Sequence, residues 1–262
     1  MKMESISFVG GGRVARILIG GLKRVGALPG KVLVYDPDET VGKLLTSLYP
    51  AVELVKDTSI AASADVIFLA IHPPEIGGVM SRLAEGLRDD SVLVSLAPVV
   101  TIHQMVELSG GHTQIVRMIP NAPSLVGKGY NPVAFSDGID KARKTALVDL
   151  FSRWGPCPLV EEEHLELYAV VAAMGPTYLW PLLFALEGLA RTFGLEDKAA
   201  RDAVTNMTEG AVAVMKRSRL SEEEIMDLIP VKPLAEATAK HVENSRETLA
   251  ELVKKLSPAV KS

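Results

Sequence analysis

Gly10-Gly11-Gly12-Arg13-Val14-Ala15 follows directly on the apolar run Ser5–Val9 and leads into a helical stretch. The spacing Gly-x-Gly-x-x-Ala suits a pyrophosphate. Gly10 can make the tight turn out of a strand, Gly12 leaves no Cβ between backbone and phosphate, and small Ala15 lets the helix pack close to the strand. The helix N-terminus adds free N–H groups and a partial positive charge. Glycine triplets also occur in plain loops, so context matters. A second strand pattern, Lys31–Tyr35, ends at Asp36, 24 residues after Gly12, where a carboxylate can accept hydrogen bonds from ribose hydroxyls. Like charges about 4 Å apart repel by roughly 4 kcal/mol at an effective dielectric of about 20, so Asp36 disfavours a 2′-phosphate. NAD(H) is therefore favoured over NADP(H), with Arg13 as the residue that could still reach a 2′-phosphate. Asp36 also has a purely structural reading, as the cap of the turn Asp36-Pro37-Asp38.

His72 ends another strand pattern and could line the same site or relay a proton; it could equally be a polar residue that merely ends a strand. His103, His112, His164 and His241 lie among polar neighbours, read as solvated, and show no metal-ligand spacing. No metal site is expected. There is no nucleophile elbow with a Ser-His-Asp order and no Gly-Lys-Ser/Thr phosphate loop. The single cysteine, Cys157, excludes an intrachain disulfide and reads as a small buried residue at a strand start.

These residues need a sheet to position them. Strand patterns at Ser5–Val9, Lys31–Tyr35, Asp65–Ile71, Ser91–Leu96, Gln114–Met118 and Pro132–Phe135 alternate with helical patterns at Val14–Val25, Thr40–Leu48, Glu75–Gly86, Ile102–Leu108 and Lys141–Arg153. Several strands are continuous β-branched and apolar runs, as parallel strands covered on both faces must be. The order predicts an α/β, doubly wound parallel sheet of the Rossmann type over residues 1–160, with ligands at the carboxyl ends of its strands. The turns Asp36-Pro37-Asp38, His72-Pro73-Pro74, Ala97-Pro98 and Ile119-Pro120-Asn121 are the places for a second substrate. Beyond Val160 only helical patterns remain: Glu161–Ala173, Thr177–Phe193, Glu196–Arg217, Ser221–Leu228 and Leu234–Leu256. Residues 161–262 are read as an all-α domain, with a frayed tail from Ser257.

The 262 residues carry a net charge of −4 with scattered basic residues, which argues against nucleic acid as a partner. The N-terminus lacks a signal-peptide core, so the cytoplasm is expected. Leu167 to Leu186 is nearly all apolar and about as long as a membrane span. Gly175-Pro176 breaks it, Pro181 follows, and Glu161 to Glu163, Glu166 and Glu187 flank it, so burial in protein is expected rather than insertion in lipid.

Together these segments resemble the pyrroline-5-carboxylate reductase family. The likeness rests on Phe8-Val9-Gly10-Gly11-Gly12-Arg13-Val14-Ala15, Leu18-Ile19-Gly20-Gly21-Leu22, Ala70-Ile71-His72-Pro73, Arg117-Met118-Ile119-Pro120-Asn121-Ala122-Pro123 with Ser124 to Gly129, and Met174-Gly175-Pro176-Thr177-Tyr178. The resemblance implies an N-terminal nucleotide-binding domain and a C-terminal helical domain that interlocks with its twin, burying the apolar stretch in a homodimer. It implies hydride transfer from NAD(P)H to a cyclic imine bearing a carboxylate. It puts Gly10 to Ala15, Asp36, Ile71, His72, Pro73 and Ala97 around the cofactor, with Asn121 and the Gly175-Pro176 turn near the nicotinamide.

The likeness fails at one place. Where the family carries Ser-Pro-Gly-Gly-Thr-Thr, this chain has Pro230-Val231-Lys232-Pro233-Leu234-Ala235-Glu236, and Ala172 and Met174 replace upstream serines. A backbone anion nest cannot form with Pro233 and Leu234 in place of glycines. Lys232 could hold a carboxylate as a point charge, and Glu236 could donate a proton if buried; both could also be ordinary surface residues. Thr177, Tyr178, Lys232 and Glu236 are the candidate catalytic and substrate-placing residues. The expected function is an NAD(P)-dependent oxidoreductase whose small-molecule substrate is not, or not only, pyrroline-5-carboxylate. The alternatives are a non-catalytic nucleotide-binding or regulatory protein, and a genuine pyrroline-5-carboxylate reductase with an altered carboxylate site.

Overall fold

The computed structural model describes residues 3–257, so the end of the expected frayed tail lies outside the described residues. Seven strands form one sheet: β1 Ser5–Val9, β2 Lys31–Tyr35, β3 Val52–Leu54, β4 Val66–Leu69, β5 Val92–Ser95, β6 Ile115–Met118 and β7 Val133–Phe135. Their order is β3-β2-β1-β4-β5-β6-β7. The first six run parallel, and β7 pairs antiparallel with β6. The segment between β6 and β7, residues 119–132, holds a short 3₁₀ turn, Ala122–Val126, and no crossover helix. A parallel return needs a crossover long enough to span the sheet.

Every residue of β4, β5 and β6 is buried, which explains their unbroken apolar runs. The helices are divided between the two faces. On one, Leu18, Ile19 and Leu22 of α1 (Arg13–Arg24) and Leu147 and Phe151 of α6 (Lys141–Phe151) pack on Phe8, Val34, Phe68 and Val94. On the other, Ala61 of α3 (Thr58–Ala62), Met80 and Leu83 of α4 (Ile76–Leu83) and Met105 of α5 (Ile102–Leu108) cover Leu33, Ile67, Leu93 and Ile115. Remaining in this part are α2 (Glu39–Leu48) and α7 (Leu165–Tyr168). β3 and α3 have no counterpart among the expected elements; each is five residues or shorter, too brief for a periodic pattern to stand out.

By internal contacts the chain divides after Met174, with residues from Leu252 grouped with the sheet and Gly175–Glu251 forming a helical unit. The division falls later than residue 160. Val160 N–H donates to Val133 O at 3.0 Å, Leu159 bridges to Val133, and Glu162 and Glu166 pair with Arg117 of β6; these bonds tie 159–166 to the sheet. The segment holding Cys157 makes only that isolated bridge and no strand. Burial pushes the Cys157 thiol up to about 12, so it is not a reactive thiolate. The second unit holds α8 (Pro176–Thr192), α9 (Asp197–Arg217), α10 (Glu222–Asp227) and most of α11 (Ala235–Leu256). Ser221 and Glu224 form a capping box at the start of α10.

Trp154 is fully buried, stacks on Phe151 with centroids 5.9 Å apart, and donates its indole N–H to Leu18 O at 2.7 Å. Trp154→Phe removes that donor and part of the ring. It should lower the unfolding free energy by about 2 kcal/mol, read from the denaturant midpoint at unchanged slope.

Candidate functional site

The loops after β1, β2, β4, β5 and β6 all leave the same edge of the parallel sheet. They bring together Gly10 to Ala15, Asp36, Ile71 to Pro73, Ala97 and Asn121. The reversal of strand order lies between β1 and β4, where open α/β sheets form their ligand crevice.

The glycines differ in what requires them. Gly10 has φ +99, and a Cβ there would lie 2.5 Å from Ala70 O. The close approach of the β1 and β4 loops thus depends on it. Gly12 has φ −66 as the residue before α1, and a Cβ there would meet no atom within 4 Å. Neither backbone conformation nor packing asks for glycine at that position. Room for an incoming group does. At this end Arg16 N–H donates to Gly12 O at 3.1 Å, so the N–H groups just before it point out of the helix end. A cradle of open backbone at a helix N-terminus fits the pyrophosphate of a dinucleotide.

Asp36 is oriented on both sides. Its Oδ2 accepts from Gly11 N–H at 2.7 Å and its Oδ1 from Asp38 N–H at 2.8 Å. The carboxylate therefore links the glycine loop to the end of β2, and each oxygen keeps further acceptor capacity for a hydroxyl. Asp38, not Asp36, caps α2, through Thr40 N–H at 2.8 Å. Arg13 and Val14 are exposed on the first turn of α1, and Ala15 is buried beneath.

His72 is exposed and opens a 3₁₀ turn, its N–H 3.3 Å from Glu75 Oε2. Ala97 is buried. Asn121 is committed to the fold: Oδ1 accepts from Tyr130 N–H at 3.1 Å, and Nδ2 donates to Ala172 O at 3.3 Å. One amide proton remains to face a ligand. His112 departs from the solvated reading. It is partly buried with Nε2 3.0 Å from Ser91 O, and burial holds its imidazole below the ordinary value. Among the described residues no group of three or more His, Cys, Asp and Glu side chains is placed to hold a metal ion.

The other candidates belong to the helical unit. Thr177 and Tyr178 are exposed in the first turn of α8. Partial burial raises the Tyr178 phenol above its usual value, so it stays a neutral hydroxyl near pH 7. Lys232 is exposed just before α11. Glu236, in the first turn of α11, pairs with Lys240 at 3.0 Å and is also exposed, so the burial on which a proton-donor role depends is not present within one chain.

Four residues at this edge, Arg117, Glu162, Glu166 and Val99, escaped the sequence reading as site residues. Arg117 lies fully buried in β6, bonded to Glu162 at 2.9 Å and to Glu166 at 2.6 Å. Val99, after β5, holds φ +76 and donates its N–H to Glu166 Oε1 at 2.9 Å. The available signal was an arginine inside the apolar run Ile115–Met118, which demands a partner, followed by acids from Glu161 to Glu166.

A family model described as NADP oxidoreductase, coenzyme F420-dependent, matches residues 5–98. The pyrroline-5-carboxylate reductase of Corynebacterium melassecola is 29% identical over 226 residues, covering 85% of this chain and 84% of that protein. That of Escherichia coli K12 is 27% identical, covering 73% and 72%. The NADP-bound crystal structure of the Plasmodium falciparum pyrroline carboxylate reductase superposes with a TM-score of 0.81 at 21% identity, covering 98% of this chain and 97% of that one. Over most of its length the chain is similar to pyrroline-5-carboxylate reductases. That likeness groups it with NAD(P)-dependent oxidoreductases acting on CH–NH bonds. A likeness over this length takes in the glycine loop, the Pro120-Asn121 turn and the Gly175-Pro176 turn together, whereas a lone glycine loop occurs in many dinucleotide-binding proteins.

The two glycines separate fold from ligand. Gly10→Ala should destabilise the protein by about 2 kcal/mol or more, through positive φ and the clash with Ala70 O. Gly12→Ala should leave stability within about 0.5 kcal/mol while weakening dinucleotide binding at least about tenfold. Paired denaturation and fluorescence titrations check both.

Proposed function

We propose that this protein, a relative of the pyrroline-5-carboxylate reductases, reduces the C=N, or C=O, of a small carboxylate-bearing molecule, and that its substrate is not, or not only, pyrroline-5-carboxylate. The observation that carries the cofactor half is Gly12, a glycine required by neither packing nor backbone angle, at an open helix N-terminus. A reduced nicotinamide bound to this edge supplies the hydride. The chain's part is to hold the pyrophosphate on the N–H groups of α1, orient the ribose on Asp36, and shape the far end with the loops after β4, β5 and β6.

The changed substrate is argued from Pro230 to Glu236. Pro233 has no N–H to offer an anion, and Lys232 replaces the nest with a mobile point charge for the carboxylate. Thr177 and Tyr178 are the hydroxyls we assign to substrate placement. Glu236 serves as proton donor only if a second chain buries it. Exposure of Lys232 and Glu236 in a single chain favours the competing reading, a dinucleotide-binding protein without turnover.

NADH is proposed over NADPH. The malarial relative was solved with NADP, but here a fixed carboxylate stands at the end of β2, where it accepts ribose hydroxyls and repels a 2′-phosphate. Arg13 is the residue that would offset it.

We further propose a homodimer through the C-terminal helices. Trp180, Phe184 and Phe193 are 43%, 63% and 82% exposed, large apolar side chains of the kind that a protein interface covers. The stretch Glu162–Thr192 is long and apolar enough to cross a membrane, with mean hydropathy 1.6 in its most apolar window. Against lipid stand Pro181 within α8 and the Glu187 carboxylate with Arg191 at 2.6 Å and Arg201 at 3.2 Å. A second copy is the occupant we propose, and the cytoplasm the compartment, since the fold contains no disulfide.

Turnover with NADH and NADPH should be assayed on pyrroline-5-carboxylate and on a panel of cyclic imines and 2-keto acids. Reduction of a panel member faster than pyrroline-5-carboxylate is expected. Full activity on pyrroline-5-carboxylate overturns the changed substrate, and tight cofactor binding without turnover favours the binding protein. Asp36→Ser should shift the NADPH-to-NADH affinity ratio toward NADPH by about tenfold or more; an unchanged ratio means that the carboxylate does not face the ribose. Phe184→Glu should convert dimer to monomer in light scattering after size-exclusion chromatography.

A further inference from the structure

Val99 is the one non-glycine residue at positive φ among the described residues, at +76. For a β-branched side chain that conformation is a strained outlier, and it persists only where surrounding contacts impose it. The contact here is Glu166. Its Oε1 accepts from Val99 N–H at 2.9 Å and from Arg117 Nη2 at 2.6 Å, and both charged side chains are 1% exposed. Three residues on, Ile102 N–H donates to Glu162 Oε1 at 2.6 Å, and the same oxygen accepts from Arg117 Nη1 at 2.9 Å. The loop from Leu96 to Thr101 is thus gripped at its strained middle and at its end by two carboxylates, both anchored on one buried guanidinium of β6.

A buried ion pair is costly to desolvate, and glycine at position 99 would take up the same angle without restraint. The strain and its clamp sit at the ligand edge. With the strand order β2-β1-β4-β5, a dinucleotide whose ribose meets Asp36 after β2 and whose pyrophosphate meets α1 after β1 runs on toward the loops after β4 and β5. Strands lie about 4.8 Å apart, so the β5 loop is within reach of its nicotinamide half.

We propose that Glu166, anchored by Arg117, is a positioning residue that holds Val99 in its strained conformation and so shapes the β5 loop to receive the nicotinamide end of the cofactor. The inference rests on the cofactor placement above. Glu166 itself touches neither cofactor nor substrate in this scheme; it acts through the backbone at Val99.

The test is cofactor affinity with a rescue. Wild type, Glu166→Ala, Val99→Gly/Glu166→Ala and Glu162→Gln are titrated with NADH and NADPH by nicotinamide fluorescence and melted in parallel. Glu166→Ala should raise Kd about tenfold, and adding Val99→Gly should return it to within about threefold of wild type, because glycine takes the angle unaided. The melting temperature should stay low in the double variant, since Arg117 still lacks one of its two partners. Glu162→Gln keeps an acceptor for Ile102 N–H and loses only the charge facing Arg117, so it should lower the melting temperature and leave Kd within about twofold. A Glu166→Ala protein with wild-type Kd, or a Kd that Val99→Gly does not restore, overturns the proposal. Should Glu166→Ala not fold, hydrogen exchange on the wild type decides: saturating cofactor should slow the amides between Ala97 and Thr101, and protection confined to Gly10–Ala15 overturns it. Wild type that binds neither nucleotide instead brings down the cofactor placement itself.

Discussion

Arg117 puts a guanidinium in the middle of a sheet, between β5 and β7, with 1% of its side chain exposed. Removing such a charge from water costs several kcal/mol, and an unpaired one would not be tolerated there. Two carboxylates neutralise it, and both come from the segment that follows the last strand. That requirement draws residues 161–166 onto the sheet, and Leu159 and Val160 are laid beside β7. The same carboxylates reach past the arginine to the backbone of the β5 loop. One buried charge therefore connects the end of the sheet, the start of the helices and a wall of the candidate cofactor site.

This explains why the sheet was far easier to read from the residues than the junction after it. Ile115–Met118 stood out as a strand from its apolar neighbours, and continuous runs such as Val66–Leu69 and Val92–Ser95 need burial on both faces whatever follows. The consequence of Arg117 is non-local: Glu166 lies 49 positions away, and nothing in the local pattern of Glu161 to Glu166 distinguishes an acid that flanks a helix from one that neutralises a sheet. The later division of the chain follows from that pairing. β3 and α3 were missed for a simpler reason, since Val52–Leu54 buries one residue of its three. Val99 was illegible because a β-branched residue argues against positive φ, and only its tertiary partner imposes it.

The helical unit poses the opposite problem. Its elements were legible, since α8, α9 and α11 are long and free of competing strand signals. What they pack against was not. Hydrophobic periodicity reports that a face avoids water without saying what covers it. Within one chain, Leu182, Phe184, Leu189 and Phe193 remain more than half exposed, while Glu187 nearby is 5% exposed and holds two arginines. A lipid-facing helix would have no reason to gather three charges beside its apolar face. A second protein surface, with apolar centre and paired charges, suits both features.

The proposed cofactor-binding and substrate-binding residues are made of different material, and they can diverge at different rates. The cofactor half is mostly backbone: the turn at Gly10, the open space at Gly12, the N–H groups of α1, and one carboxylate bonded to two more N–H groups. Such a site survives wide substitution elsewhere, because its donors do not depend on side-chain identity and only a Cβ in the wrong place destroys it. The substrate half, as far as the resemblance locates it, is made of hydroxyls, a charged side chain and a loop whose anion-binding power vanishes when glycine becomes proline. A single replacement there changes which group is recognised without disturbing the sheet. On the proposed reading, the chain keeps a dinucleotide site through extensive sequence change and alters its substrate through the few positions between Pro230 and Glu236.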